Sequence, residues 1–220
     1  MRPSRLMFGA AGGGVISVNV IEVFADVRCP FTHVGLRRLV EERDRAGRRD
    51  LQLRVRAWPL ELVNAEPLSA ALIAAEVTEL RAQVTPDLFA GFDVARFPAS
   101  SLPAMGLAAI GYEHDPSVGE SVSLLLRDAF FEHGRDISSA SVLDDLASRA
   151  GIERSLSGGE RQVRADWEEG VSRGVIGSPH FFVGDADFFC PSLEITHVGE
   201  ELRIRFDEHG FATFLRHCLT

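Results

Sequence analysis

The stretch Val18-Asn-Val-Ile-Glu-Val-Phe-Ala25-Asp-Val-Arg-Cys29-Pro-Phe-Thr-His33 decides how this chain folds. Up to Ala25 it is rich in β-branched residues and nearly continuously apolar, the pattern of a strand buried inside a parallel or mixed sheet. Cys29-Pro30 then opens a helix, with Val34, Leu36, Leu39 and Val40 for its apolar face. Proline suits a first helical position, where no backbone N–H is needed. Gly47 supplies an end signal, and Leu51-Gln-Leu-Arg-Val-Arg-Ala57 alternates like a second strand. Strand, helix and strand make a βαβ unit of right-handed crossover.

Working outward, the signal turns helical from Glu66 to Gly174, with helices expected over Leu68–Val84, Leu102–Tyr112, Val118–His133 and Ser141–Ala150. Another helix starts near Ser157, which has capping-box spacing to Glu160. Strand chemistry returns at His180-Phe-Phe-Val183. A turn, Gly184-Asp-Ala-Asp187, leads to Phe188-Phe-Cys190, and a further hairpin pairs Leu193–His197 with Leu202–Phe206. A last helix runs from about Asp207 to Cys218, burying Phe211, Phe214, Leu215 and Cys218. This order predicts an α/β chain: a sheet domain over 18–65 and 175–220, an all-helical insertion over 66–174, and a flexible extension over 1–17.

Composition narrows the function. The 220 residues carry a net charge of -9, which phosphates and anionic lipid would repel. Nucleic acid and membrane surfaces are therefore not the expected partners, and no apolar run approaches the roughly 20 residues that span a bilayer. Three cysteines, Cys29, Cys190 and Cys218, are too few and scattered for a disulfide framework or a zinc site, and the histidines lack metal spacing. Free thiols in a cytoplasmic chain are expected, without metal or nucleotide. The run Leu156-Ser-Gly-Gly-Glu-Arg-Gln162 copies the signature loop of ABC ATPases. That loop works beside a P-loop lysine, and the sequence has no lysine.

Cys29 sits where a strand stops and a helix starts, so its sulfur faces free N–H groups and the positive end of the helix dipole. Such placement lowers a thiol pKa from ~8.5 towards roughly 3.5–7.5, producing the nucleophilic thiolate. Thr32 and His33 lie one turn on, within reach to stabilise it. An inert buried cysteine is the competing reading. Asp26 is either a proton acceptor for the thiol or a loop cap.

A second segment, Gly174-Val-Ile-Gly-Ser-Pro179-His-Phe-Phe-Val183, places Ser-Pro directly before an apolar strand. A cis bond there leaves the Ser178 backbone exposed as a short edge able to pair with a peptide or glutathione; a trans proline opening a strand is the alternative. Folding the next hairpin about Asp185-Ala186 sets Cys190 opposite Phe181 and makes it a candidate non-local resolving thiol, against its reading as a small apolar residue. Cys218 reads as core. Trp58, Phe31 and Phe181 either wall a pocket or join the core.

Taken together, Asp26-x-x-Cys29-Pro30 and Gly174-Val-x-Gly-x-Pro179-x-Phe181 resemble the DsbA family of the thioredoxin superfamily. The nearer likeness is to its branch of FrnE-like oxidoreductases, 2-hydroxychromene-2-carboxylate isomerases and kappa-class glutathione transferases. Gly134-Arg-Asp-Ile-Ser138 with Val142-Leu-x-x-Leu-Ala147 is similar to that branch's helical insertion. The resemblance implies a thioredoxin fold, Pro179 in the cis form, and a cytosolic enzyme using glutathione or another low-molecular-weight thiol. Cys29, Thr32 and His33 would then be catalytic, with Pro30, Phe31, Ser178 and Pro179 holding the thiol cofactor. A homodimer is a candidate assembly.

Thr32 stands where the disulfide oxidases of this family have a second cysteine, so a local disulfide is ruled out and a mixed disulfide with a small thiol is the expected chemistry. A glutathione-dependent isomerase or transferase, with Cys29 aligning the cofactor thiol, is the alternative. A non-catalytic thioredoxin-like binding module is the second.

Overall fold

The computed structural model describes residues 20–152, 159–199 and 201–219. The extension over 1–17 and the capping box at Ser157 lie outside them. Two strands, β1 (Val20–Ala25) and β2 (Gln52–Ala57), flank helix α1 (Pro30–Arg45). β1 runs parallel to β2 in the register Val20↔Gln52 to Ala25↔Ala57. It runs antiparallel to β3 (His180–Val183), which forms a hairpin with β4 (Ala186–Phe189). The sheet order is β2-β1-β3-β4. Central β1 is buried on both faces, hence its nearly continuous apolar run, which only Glu22 interrupts. Ile21, Val23 and Ala25 pack with Leu36, Leu39, Phe181 and helix α8 (Glu208–Leu219), while Phe24 meets Trp58 and Phe182.

Between β2 and β3 lie helices α2 (Leu60–Val63), α3 (Ala70–Gln83), α4 (Leu102–His114), α5 (Pro116–Arg127), α6 (Ala140–Arg149) and α7 (Gly159–Ser172). β2 is a sheet edge, and an unpaired edge leaves backbone groups that need partners. Helical side chains supply them. The Tyr112 hydroxyl accepts from Val55 N (2.8 Å) and donates to Leu53 O (3.0 Å). Glu120 accepts from Leu53 N (3.1 Å), and Asp166 from Ala57 N (3.1 Å). Gly119 permits this closure, since a Cβ there would stand 2.2 Å from the Tyr112 ring.

The segment read as one helix to His133 is divided. α5 gives way to a π-helical turn, Asp128–Glu132, which buries Phe130 and Phe131. The second hairpin, β5 (Leu193–Val198) and β6 (Glu201–Phe206), forms its own two-stranded sheet and packs on α3.

Candidate active site

Strand register assembles the site. Because β3 opposes β1 with Phe24 level with His180, the residues before β3 arrive beside those after β1. Ser178 therefore meets Asp26, whose N–H donates to Ser178 Oγ (2.9 Å). The Ser178–Pro179 peptide is cis. Cys29 occupies the N-cap of α1, and its thiol donates to the Ser178 carbonyl across 3.1 Å. Thr32 Oγ1 and Ser178 Oγ share a 2.9 Å hydrogen bond. Ser178 Oγ also accepts from Asp26 N, so the Thr32 and Ser178 hydroxyls lie together beside the sulfur, and either can donate in their shared bond.

One expectation is reversed. Cys29 is only 3% exposed, and burial pushes its thiol above the ordinary value, against hydrogen bonds from Thr32 and Ser178. Desolvation of a charge here outweighs the helix N-terminus, so the resting sulfur is a thiol. The hydrogen bonds from Thr32 and Ser178 offset burial only in part.

His33 also departs from its expected role as a thiolate partner. Its Nε2 lies 2.7 Å from Glu132 Oε1 and its ring packs on Phe89 and Phe131. Four residues along a helix do not bring a side chain onto the N-cap sulfur when a partly buried carboxylate and aromatic rings claim it. Burial pulls the His33 pKa down against its bond to Glu132, leaving a neutral ring that donates from Nε2. Burial opposes ionisation of Glu132 too, but hydrogen bonds from His33, Phe89 N and Ala90 N prevail and set its pKa at about 2. With Arg37–Asp128 (2.6 Å), this pair ties α1 to the π turn. A folded pKa below the unfolded ~4.3 contributes stability above the unfolded value and loses it as pH falls towards 2. Glu132→Gln is expected to melt below the wild-type protein at neutral pH, with the gap narrowing between about pH 4 and 2 in thermal scans.

Asp26 is a loop cap. Its carboxylate accepts from Arg28 N (2.8 Å), Leu60 N (2.8 Å) and the Ser101 hydroxyl (3.2 Å). Cys190 lies elsewhere in the hairpin than expected. The turn is the two-residue Gly184-Asp185, so Phe181 faces Phe188 and Cys190 N donates to Pro179 O (3.0 Å). Burial, then the charge of Cys29, push its thiol up to about 12, which sets the two sulfurs within electrostatic reach. Phe31 floors a groove beside the site. Pro30 is buried at the first position of α1. Trp58, Phe181 and Cys218 are core. His180, also buried, lies 2.9 Å from Asp187.

Three residues carry weight that sequence reasoning missed. Arg28, fully buried, donates to Pro98 O, Glu61 and Ser101 behind the loop that carries Asp26 and Cys29. Arg127 donates to Ser123 O (2.8 Å) and Asp26 O (3.4 Å), and burial lowers its guanidinium to about 10. Glu132 is the third. Ser123 apart, their partners named here lie 33 to 101 residues away in sequence, so no local spacing announces them. Among the described residues no group of His, Cys, Asp and Glu suits a metal ion, and no helix is long and apolar enough to cross a membrane.

A family model described as DSBA-like thioredoxin domain matches residues 20–202. No curated protein sequence matches the chain. Among solved structures, 2-hydroxychromene-2-carboxylate isomerase is similar over 77% of this chain and 88% of its own, at TM-score 0.56 and 18% identity. The cytosolic disulfide reductase DsbM from Pseudomonas aeruginosa is similar over 90% of this chain and 97% of its own, at TM-score 0.59 and 13% identity. The same reductase solved with GSH gives TM-score 0.58 and 14% identity over 90% and 97%. At these identities the likeness is one of fold.

Proposed function

The chain belongs to the DSBA-like thioredoxin domain family, and on that premise we propose that it is a thiol-disulfide oxidoreductase working through one cysteine with a low-molecular-weight thiol, glutathione foremost. The observation that carries the reading is the Cys29 sulfur at the N-cap of α1, 3.1 Å from the Ser178 carbonyl, with the Thr32 and Ser178 hydroxyls beside it. DsbM, of the same fold, has been solved with GSH, which supports the choice of thiol.

The chemistry runs as two exchanges. Cys29 loses its proton to solvent, and Thr32 and Ser178 turn their hydroxyls to the thiolate. The thiolate attacks one sulfur of a small disulfide. A Cys29–S–S–R bond forms, the substrate S–S bond breaks, and RS⁻ leaves and takes up a proton. A second small thiolate attacks the mixed disulfide and releases Cys29. No net oxidant is needed, since one disulfide is exchanged for another. The free state of all three cysteines suits a reducing compartment, and we place the protein in the cytoplasm.

The test is incubation with glutathione disulfide, scoring each thiol by mass spectrometry across pH. A single adduct on Cys29 is expected, its rate rising about tenfold per pH unit through neutrality because the thiol titrates above that range. An intramolecular Cys29–Cys190 disulfide in place of the adduct would make Cys190 the resolving thiol. No adduct at any pH would sink the exchange reading.

A second reading rests on the same buried, protonated sulfur. As a thiol, Cys29 is a donor, and it can hydrogen-bond the thiolate of bound glutathione in an isomerase or transferase. That reading predicts no mixed disulfide and a lowered pKa of the glutathione thiol on binding.

A further inference from the structure

A groove of about 740 Å³ opens beside the catalytic motif. Its floor is Phe31, two residues past Cys29, and its walls are α3 on one side and the β5–β6 hairpin on the other. Leu72, Ile195 and Leu202 make these walls partly apolar. The hairpin is no part of the main sheet, and Gln83 fastens it to α3, donating to Leu202 O (2.9 Å) and accepting from Ile204 N (2.9 Å). Both walls are therefore fixed in place.

The charges in the groove do not balance. Glu79 accepts from Gln83 (2.7 Å), and Glu201 is paired with Arg203. Glu76 faces the same space with no hydrogen bond or ion pair among the described residues, and burial pushes its carboxyl up to about 7. His197 is exposed at the rim. The Glu76 charge also raises the Cys29 pKa, which sets it within electrostatic reach of the sulfur. A half-buried carboxylate on apolar walls is unfavourable until a cation meets it.

Resting on the exchange reading above, we infer that this groove is the subsite for a primary ammonium group carried by the small thiol or disulfide substrate, and that Glu76 receives it. The arrangement couples recognition to reactivity. In the empty groove the Glu76 charge opposes formation of the Cys29 thiolate. An ammonium group neutralises that field, so the thiolate is favoured when the correct substrate is seated. Cys29 Sγ then bonds to the nearer substrate sulfur, the substrate S–S bond breaks, and the departing thiolate takes a proton from water. The ammonium group stays paired throughout.

The experiment compares the rate of Cys29 modification by cystamine, a dication, by the neutral 2-hydroxyethyl disulfide and by the dianion 3,3′-dithiodipropionate. It is run near pH 8, where Glu76 is ionised, on wild type, Glu76→Gln and Glu168→Gln. Glu168 is exposed on α7, outside the groove, and its variant matches the change in net charge. Wild type is expected to favour cystamine over the neutral disulfide by about tenfold, the effect of one ion pair of about 1.4 kcal/mol. Glu76→Gln is expected to erase that preference and to quicken the neutral reaction. Glu168→Gln is expected to keep it. In wild type the preference shrinks as pH falls through 7, with Glu79, His197, Glu201, Arg203 and Cys29 the other ionisable groups facing the space.

A preference for the dianion would assign the groove to Arg203 and overturn the inference. So would equal ratios in wild type and Glu76→Gln, or equal losses in both variants. In each of these cases Cys29 still reacts with the neutral disulfide and the exchange reading stands. A Cys29 silent towards all three probes overturns both.

Discussion

Cys29→Ser is expected to lower disulfide exchange with glutathione by about a thousandfold or more, the scale seen when a sole nucleophile is removed. A hydroxyl in the same position keeps the shape of the N-cap but supplies no thiolate and no exchangeable sulfur. Cys190→Ser and Cys218→Ser are expected to stay within about threefold of wild type. Cys218 lies in the apolar stripe of α8, and the Cys190 thiol is held protonated at about 12. Conversion of glutathione disulfide to the mixed disulfide with added 2-mercaptoethanol, which releases glutathione, reads all three variants. Activity surviving in Cys29→Ser would remove Cys29 from the chemistry. A deep loss in Cys190→Ser would move the resolving step onto that sulfur.

Asp26→Ala is expected to cost about 3–5 kcal/mol of stability, the range for removing one member of a buried charged network. The carboxylate is fully buried, and it satisfies the Arg28 and Leu60 amides and the Ser101 hydroxyl. Its loss orphans these donors and leaves the buried Arg28 with Glu61 as its remaining carboxylate partner. Denaturant melts with an unchanged slope would register the loss as a shifted midpoint. The site should loosen as well, because the carboxylate pins the loop whose backbone amide at position 26 positions Ser178 and so the carbonyl that holds the thiol. A deficit under about 1 kcal/mol would mean that water replaces the carboxylate.

Local pattern carried the backbone well. The nearly continuous apolar run of β1, the proline after Cys29 and the alternation of β2 each follow from rules acting over one element. Those elements form where the residues predict them, β1 being described from Val20. The hairpin after Pro179 shows where such rules stop. Cys190 opposite Phe181 and Cys190 opposite Pro179 differ by a slip of two residues, which leaves every side chain on the same face. Alternation is blind to that slip. Both turns have two central residues, and Gly184, at φ +59°, is the first residue of the one that forms and sets the register. The π turn escaped for a related reason. A helical period over 118–133 fits one helix, and only packing of Phe130 and Phe131 together in the core calls for the wider turn.

For this protein the amino-acid order by itself determined that a cysteine would cap a helix after a buried strand and that a Ser-Pro strand start would answer it. Both are statements about neighbours in the chain. The sign of the Cys29 pKa shift, the side to which His33 turns, and the roles of Arg28, Glu76, Arg127 and Glu132 were decided by the tertiary structure. Each depends on how much water is left around a charge and on which distant group fills that space. Desolvation and long-range partners are properties of the packed chain, and no spacing in the sequence encodes them.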